Sequence, residues 1–173
     1  MPDNVQPMLA TLAGKAFDSG DWLFELKLDG IRAMAVKKGS SIEMWTRNAR
    51  SLSHRFPTLA EALAGLPADS FILDGEIVAL DEKGHSHFSR IQPRIHLSRS
   101  RDIAEADQKI PVHFYAFDLL YINGYDLRTL PLLQRKTVLR KLIPRNDGWV
   151  RYTDHVENRG KDFFKAVFLQ PQI

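Results

Sequence analysis

The stretch Asp21–Gly39, "DWLFELKLDGIRAMAVKKG", decides how this chain folds. Its first part has period two. Trp22, Phe24, Leu26 and Leu28 fall on one face, and Leu23, Glu25, Lys27 and Asp29 on the other, as in a half-buried strand. Asp29-Gly30 is a turn or bulge signal, and Ile31–Gly39 reads as the returning strand of a hairpin. The polar face raises a chemical question. Glu25, Lys27 and Asp29 project together, Gly30 lets backbone come close to a ligand, and Arg32 lies just past the turn. A charged amine in a buried strand is costly without partners, and service as a nucleophile is one of the few good reasons for it. A lysine amine attacks only when neutral, whereas nearby carboxylates favour the ammonium form unless a metal ion offsets them. The arrangement therefore suits a metal–nucleotide substrate better than a bare carbonyl. From these residues alone, a solvated strand face with a Lys–Asp ion pair fits equally well.

Working outward, Ser41–Asn48 ("SIEMWTRN") reads as a third strand. In "PTLAEALAGLP", Thr58 precedes Glu61 by three residues as in a capping box, with Leu59, Leu63 and Leu66 at helical spacing. "SFILDGEIVALDEKG" is a strand closed by a turn, and "PVHFYAFDLLYING" another, closed by Asn123-Gly124. "LPLLQRKTVLRKL" is a helix with Pro131 near its start. "GWVRYTDHV" is a short strand, and "GKDFFKAVFL" a last helix with Phe163/Val167 and Phe164/Phe168 four apart. Hairpin-like strands interrupted by helices predict an α+β fold with mainly antiparallel sheets, not a doubly wound parallel one.

The 173 residues, 44% of them hydrophobic, suffice for one domain with a real core. No run of 18 apolar residues offers a membrane span. Met1–Trp22 lacks a basic region followed by a long apolar stretch, so no secretory leader is expected. The absence of cysteine excludes disulfides, thiolate metal sites and cysteine catalysis, and is compatible with a reducing cytoplasm. A net charge of +3 points only weakly to nucleic acid. Basic residues gather in two places: Arg90, Arg94, Arg99 and Arg101 in one, and Arg135, Lys136, Arg140, Lys141 and Arg145 in the other. Each reads as a solvated loop or helix face, or as a phosphate contact. His85, His87 and His96 lie close together, but without an acidic partner at clear spacing they read as loop residues.

Four ordered segments together carry a resemblance. "KLDGIR" (27–32), "TRNARSLSHRFP" (46–57), "ILDGEIVALDEKG" (72–84) and "FYAFDLLYINGYDLRTLPLLQRK" (114–136) resemble motifs I, Ia, III and IIIa of the covalent nucleotidyltransferases. The likeness is strongest to bacterial ATP-dependent DNA ligases of the end-joining repair type, and "PMLATL" (7–12) shares it. One departure is Ala49, where motif Ia usually has glycine. The resemblance implies an ATP-grasp-like nucleotidyltransferase domain. In it Lys27 attacks the α-phosphate of ATP, releases pyrophosphate and holds AMP for transfer to the 5′-phosphate of nicked double-stranded DNA. It implies that Arg32 holds ribose or phosphate charge and that Asp29 positions the lysine, metal and phosphates. Glu76 would contact ribose and assist Mg²⁺ or Mn²⁺ binding. Phe117 would stack on adenine, Glu25 would accept from the adenine amine, and Arg47 would contact phosphate of the nucleotide or the nick.

The family's motifs IV and V, with a metal-binding glutamate and two lysines, do not occur in this sequence, nor does an OB-fold domain with motif VI. Residues 1–173 are thus expected to be one partial adenylation domain, C-terminally incomplete, with exposed sheet edges that a homodimer would cover. Losing charge-neutralising groups costs orders of magnitude in phosphoryl transfer. An impaired remnant that binds nucleotide, nicked DNA or an end-joining repair protein is therefore the alternative to an active module. An RNA ligase or capping guanylyltransferase shares motif I, but "PMLATL", "HRFP" and "DLLYINGYDLRTLPL" favour the DNA ligase branch. The expected setting is the bacterial nucleoid.

Overall fold

Only Leu23–Glu25 of the alternating stretch forms a strand (β1), and it does not pair with the segment that follows the Asp29-Gly30 turn. The computed structural model describes residues 1–2, 5–143 and 147–168. The remaining strands are Ile31–Lys38 (β2), Ser41–Thr46 (β3), Ser70–Val78 (β4), His113–Ile122 (β5), Tyr125–Asp126 (β6), Val150–Tyr152 (β7) and His155–Glu157 (β8). The helices are Pro57–Ala64 (α1), Phe88–Ile95 (α2), Ser100–Lys109 (α3), Leu132–Leu142 (α4) and Gly160–Phe168 (α5). The described residues fall into two units. One is drawn from Met1–Pro7 and Leu28–Tyr152, the other from Met8–Lys27 and Thr153–Ile173.

The first unit is built on a sheet in the order β3-β2-β4-β5-β6, with β7 added parallel to β5 and every other pairing antiparallel. The mainly antiparallel α+β expectation therefore holds. β2 lies between β3 and β4, so the expected hairpin with residues 22–29 gives way to pairings that bury β2 on both edges. Alternation sorts the side chains by face. Ala33, Ala35, Leu73 and Ala116 join Leu59 and Leu63 of α1 and Leu139 of α4 in the main core. Each fully buried large side chain there, such as Phe71 or Phe114, contributes about 2–3 kcal/mol. On the opposite face Met34, Val36 and Ile72 form a smaller cluster with Val5 and Tyr121. Asn123 and Gly124 take φ of 44° and 96° in the two-residue loop joining β5 to β6, as a tight hairpin turn requires.

Several local expectations are revised. Thr58 lies inside α1 and not at its cap. Pro57 opens the helix, and the Thr58 hydroxyl donates to Asp107 at 2.5 Å. The arginine-rich segment expected as a loop forms α2 and α3. Arg94 is wholly buried there, bonded to Asp107 (2.5 Å), the carbonyls of Ile110 (2.7 Å) and Arg55 (3.0 Å), and stacked over Phe56. Arg90, Arg99 and Arg101 stay exposed. In the second basic segment Lys136 is buried against Tyr152, while Arg140 and Lys141 are exposed. Arg145 lies outside the described residues.

The second unit pairs β1 with β8 in antiparallel register, Phe24 opposite Val156 and Glu25 opposite His155. The segment read as one strand, "GWVRYTDHV", therefore splits, β7 joining the large sheet and β8 the small one. At the start of α5, the Lys161 N–H donates to Asp18 at 2.9 Å. Gly160 packs so tightly on Phe24 and the Phe17 carbonyl that a Cβ has no room. Phe164 and Phe168 touch as their spacing predicts, ring centroids 4.3 Å apart.

Candidate active site

On the face of the sheet that carries the smaller cluster, Arg32 of β2 stands opposite Glu76 of β4, and Met34 opposite Asp74. The Arg32 guanidinium donates from Nε to Asp74 Oδ1 (3.1 Å) and from Nη2 to Asp74 Oδ2 (2.7 Å), a fork that fixes its plane. Its face lies over the Phe117 ring, 5.4 Å from the centroid, within cation–π range. The hydrogen bonds to Asp74 raise the guanidinium above its ordinary value, burial opposes this, and the charges of Asp74, Glu76 and Asp118 add to the rise. Burial lifts the Asp74 carboxyl above its usual range, against the pull of Arg32. Arg32 is thus held rigidly among carboxylates, with an aromatic face beneath it.

Phe117 is aimed by an irregularity. Asp74 pairs with Asp118 but Gly75 pairs with Ala116, so Phe117 is the extra residue of a β-bulge. Bulges re-aim side chains and are common beside active sites. The bulge is held from α4. Arg135 clamps Asp118 with two bonds of 2.7 Å and donates to the Leu130 carbonyl, while Lys136 Nζ reaches the Phe117 carbonyl at 3.3 Å. Asp74, Asp118 and Arg135 were not among the expected site residues. The signal for Asp74 and Asp118 was the LDGE and FD segments themselves, since a part-buried arginine needs a carboxylate beside it.

Lys27 follows β1 in an exposed position, so the expectation of a lysine on a buried strand is corrected. It lines an open, largely apolar cleft of about 420 Å³ with Phe24, Glu25 and Phe163. Glu25 is half-buried at the end of β1. Asp29 is tethered. Its N–H donates to Ser86 Oγ (2.9 Å), and its carboxylate Oδ2 accepts from the Phe88 N–H at the start of α2 (2.9 Å). Gly30 lies close against the neighbouring strand, where a Cβ would strike the Ile77 carbonyl and Val78. Arg47 is exposed just past β3, in a turn where Ala49 takes φ 55°, the left-handed conformation that glycine favours. Glu76 and Asp29 offer carboxylate oxygens only, the donor class of a hard cation such as Mg²⁺ or Mn²⁺ travelling with phosphates, so the residues present fit that ion.

A planar cation on an aromatic face, bordered by a half-buried carboxylate, is chemistry suited to a nucleoside with its ribose and phosphates. The family model described as "ATP dependent DNA ligase domain" matches residues 7–170. The chain belongs to this family. Among the relatives of this ligase domain is a DNA ligase from Hyperthermus butylicus, 36% identical over 172 residues, with 96% of this chain aligned to 28% of that protein. Another is the multifunctional non-homologous end joining protein LigD of Pseudomonas aeruginosa, 36% identical, with 85% of this chain aligned to 16% of it. Among solved structures, a mycobacterial DNA ligase D complexed with ATP and MES matches with TM-score 0.77 at 31% identity, over 95% of this chain and 50% of that one. The ligase domain of M. tuberculosis LigD matches with TM-score 0.76 at 30% identity. The chain therefore has the nucleotidyltransferase fold of the ligase D ligase domain, and spans less than a third of the curated relatives described. Among the described residues, no helix is long and apolar enough to cross a membrane.

Proposed function

We propose that this chain is an adenylation module of an ATP-dependent DNA ligase of the end-joining type. The Lys27 amine attacks the α-phosphorus of ATP. A P–N bond forms, the P–O bond to pyrophosphate breaks, and the amine gives up a proton to the solvent to which Lys27 is exposed, leaving lysyl-AMP. Phe117 stacks on the adenine, held at its bulge by Asp118 and Arg135. Arg32, oriented by Asp74, binds ribose or phosphate oxygens, and Glu76 accepts from the ribose. Glu25 accepts from the adenine amine, Asp29 positions the reacting groups, and Arg47 contacts phosphate of the nucleotide or the nick. Glu76 and Asp29 would hold Mg²⁺ or Mn²⁺, which would supply charge neutralisation for the triphosphate. The AMP then passes to the 5′-phosphate of nicked double-stranded DNA, where a 3′-hydroxyl displaces it.

The observation that carries the reading is Arg32, Glu76 and Phe117 gathered on three adjacent strands in a chain whose family is the ATP-dependent ligase domain. Intact-mass spectrometry after incubation with ATP and Mg²⁺ or Mn²⁺ tests it. One adenylyl adduct is expected on the wild-type chain, none on Lys27→Ala, and little when GTP replaces ATP. An adduct that persists in Lys27→Ala, or a wild-type chain that takes none with either metal, rejects the assignment.

A further inference from the structure

The loop between β4 and α2 holds a cluster that the nucleotide chemistry leaves unused. His85 and His87 do have an acidic neighbour. Asp81, His85 and His87 each offer one ligand atom, all within 4.8 Å of one another. Asp81 Oδ2 lies 3.1 Å from His87 Nε2 and 3.6 Å from His85 Nδ1. Its other oxygen is already committed, Oδ1 accepting the backbone N–H groups of Lys83 (2.9 Å) and His85 (2.8 Å). The loop backbone is closed by the Asp81 N–H on the His85 carbonyl (2.8 Å) and the Gly84 N–H on the Asp81 carbonyl (3.0 Å). The carboxylate is therefore fixed before any ligand arrives, with one oxygen on the backbone and one directed at two imidazoles.

We propose that Asp81, His85 and His87 form a binding site for a borderline divalent transition-metal ion of the zinc, cobalt or nickel class. The ligand atoms are Asp81 Oδ2, His85 Nδ1 and His87 Nε2, with water in a fourth position. Two imidazole nitrogens and one carboxylate oxygen favour such ions over Mg²⁺ or Ca²⁺, which take oxygen donors. In a tetrahedral zinc site with bonds of about 2.0–2.1 Å, neighbouring ligand atoms lie roughly 3.3–3.4 Å apart. The separations of 3.1 and 3.6 Å to Asp81 bracket that value. The His–His separation closes by side-chain rotation, which the exposure of His85 (66%) and His87 (51%) permits.

The site has a mechanical consequence. Its ligands flank Ser86 and stop one residue short of Phe88, the two residues that hold Asp29. A bound ion braces this loop, and through it the turn that follows Lys27 in the chain.

The test is a Co²⁺ titration of the full chain in nucleotide-free buffer, followed by visible absorption, with Zn²⁺ added to displace the cobalt. The wild-type chain is expected to bind one equivalent at micromolar concentration, resistant to excess Mg²⁺. The His85→Ala/His87→Ala double variant, whose changes are at exposed positions, is expected to lose at least about tenfold in affinity, since even an outer-shell partner is worth about 10–100-fold. Undiminished binding in the double variant, or no wild-type binding below millimolar metal, overturns the site. Amide exchange at Asp29 and Phe88 is expected to slow when Zn²⁺ is bound, and unchanged exchange overturns the brace.

Discussion

Ala49 holds φ 55° in the turn where its own N–H donates to the Thr46 carbonyl and the Thr46 N–H donates to the Arg50 carbonyl, both at 2.9 Å. The sequence marks this residue as a departure from glycine, and the backbone keeps the glycine conformation regardless. A side chain in that region costs about 1–2 kcal/mol, while glycine returns about 0.5–1 kcal/mol as unfolded-state entropy. Ala49→Gly should therefore raise the urea midpoint, by about 0.5–1 kcal/mol of stability, and a lowered midpoint would contradict the strain. The lysines were harder to read at this scale. Alternation left Lys27 either buried or solvated, and it is exposed, while Lys37 is buried with its Nζ on the carbonyls of Ala64 (2.5 Å) and Leu66 (2.9 Å) at the end of α1. Period alone cannot tell which lysine will find a helix terminus to neutralise it. Phe117 and Arg32 were legible because they stand in motifs. Asp74 and Asp118 stand in the same motifs, but their role as orienting partners was not legible, because partner choice depends on strand register and on a bulge that no local pattern announces.

At the scale of elements, strands were recognised more securely than their partners. The segments of β2, β3, β4 and β5 were all readable as strands from apolar runs and turn signals, but the pairing of β1 with β8 joins residues more than a hundred positions apart. α2 and α3 escaped notice because Pro93 and the arginines hide a thin apolar stripe of Ile91 and Ile103. Ile91 packs into the main core, and the Arg94–Asp107 ion pair ties the two helices together. Burial pushes the Asp107 carboxyl up, but the bonds from Thr58 and Arg94 outweigh it and leave it below its usual range. Asp107→Ala strands the wholly buried Arg94 guanidinium, so a loss of roughly 3–5 kcal/mol is expected in chemical denaturation. A cost under about 1 kcal/mol would mean that the carbonyls of Arg55 and Ile110 suffice. Where β5 meets β7, burial and the Arg151 charge lower the His113 pKa from its ordinary 6.5, against the bond to the Gly148 carbonyl. Between that lowered value and 6.5 the unfolded chain binds more protons than the folded one, so stability rises with pH. The contribution is present above about 6.5 and is lost as pH falls through the folded pKa. Thermal midpoints measured from pH 5 to 7.5 should fall more steeply on acidification for the wild type than for His113→Gln, and parallel curves would remove His113 as the cause.

For the whole molecule, the division into two units has a direct experimental form. The larger unit owns its sheet, both apolar clusters and the Arg32–Asp74–Phe117 group. The smaller unit is assembled from two distant stretches of chain, because β1 has β8 as its only strand partner among the described residues and α5 packs on both. An isolated three-residue strand gains too little to stay ordered. Deleting everything after Tyr152 should leave β2 to β5 folded and protected from amide exchange, while residues 8–27 lose their partner strand and become sensitive to protease. The same deletion should abolish the adenylyl adduct, since Lys27 ends the segment that becomes disordered even though Arg32, Glu76 and Phe117 remain in their sheet. Limited proteolysis and intact-mass measurement on one preparation separate the outcomes. Cleavage confined to residues 8–27 with loss of the adduct supports ordering of the lysine by the β1–β8 pairing. Cleavage throughout the sheet would show that the larger unit cannot fold alone, and an adduct that survives would show that Lys27 needs neither β8 nor α5.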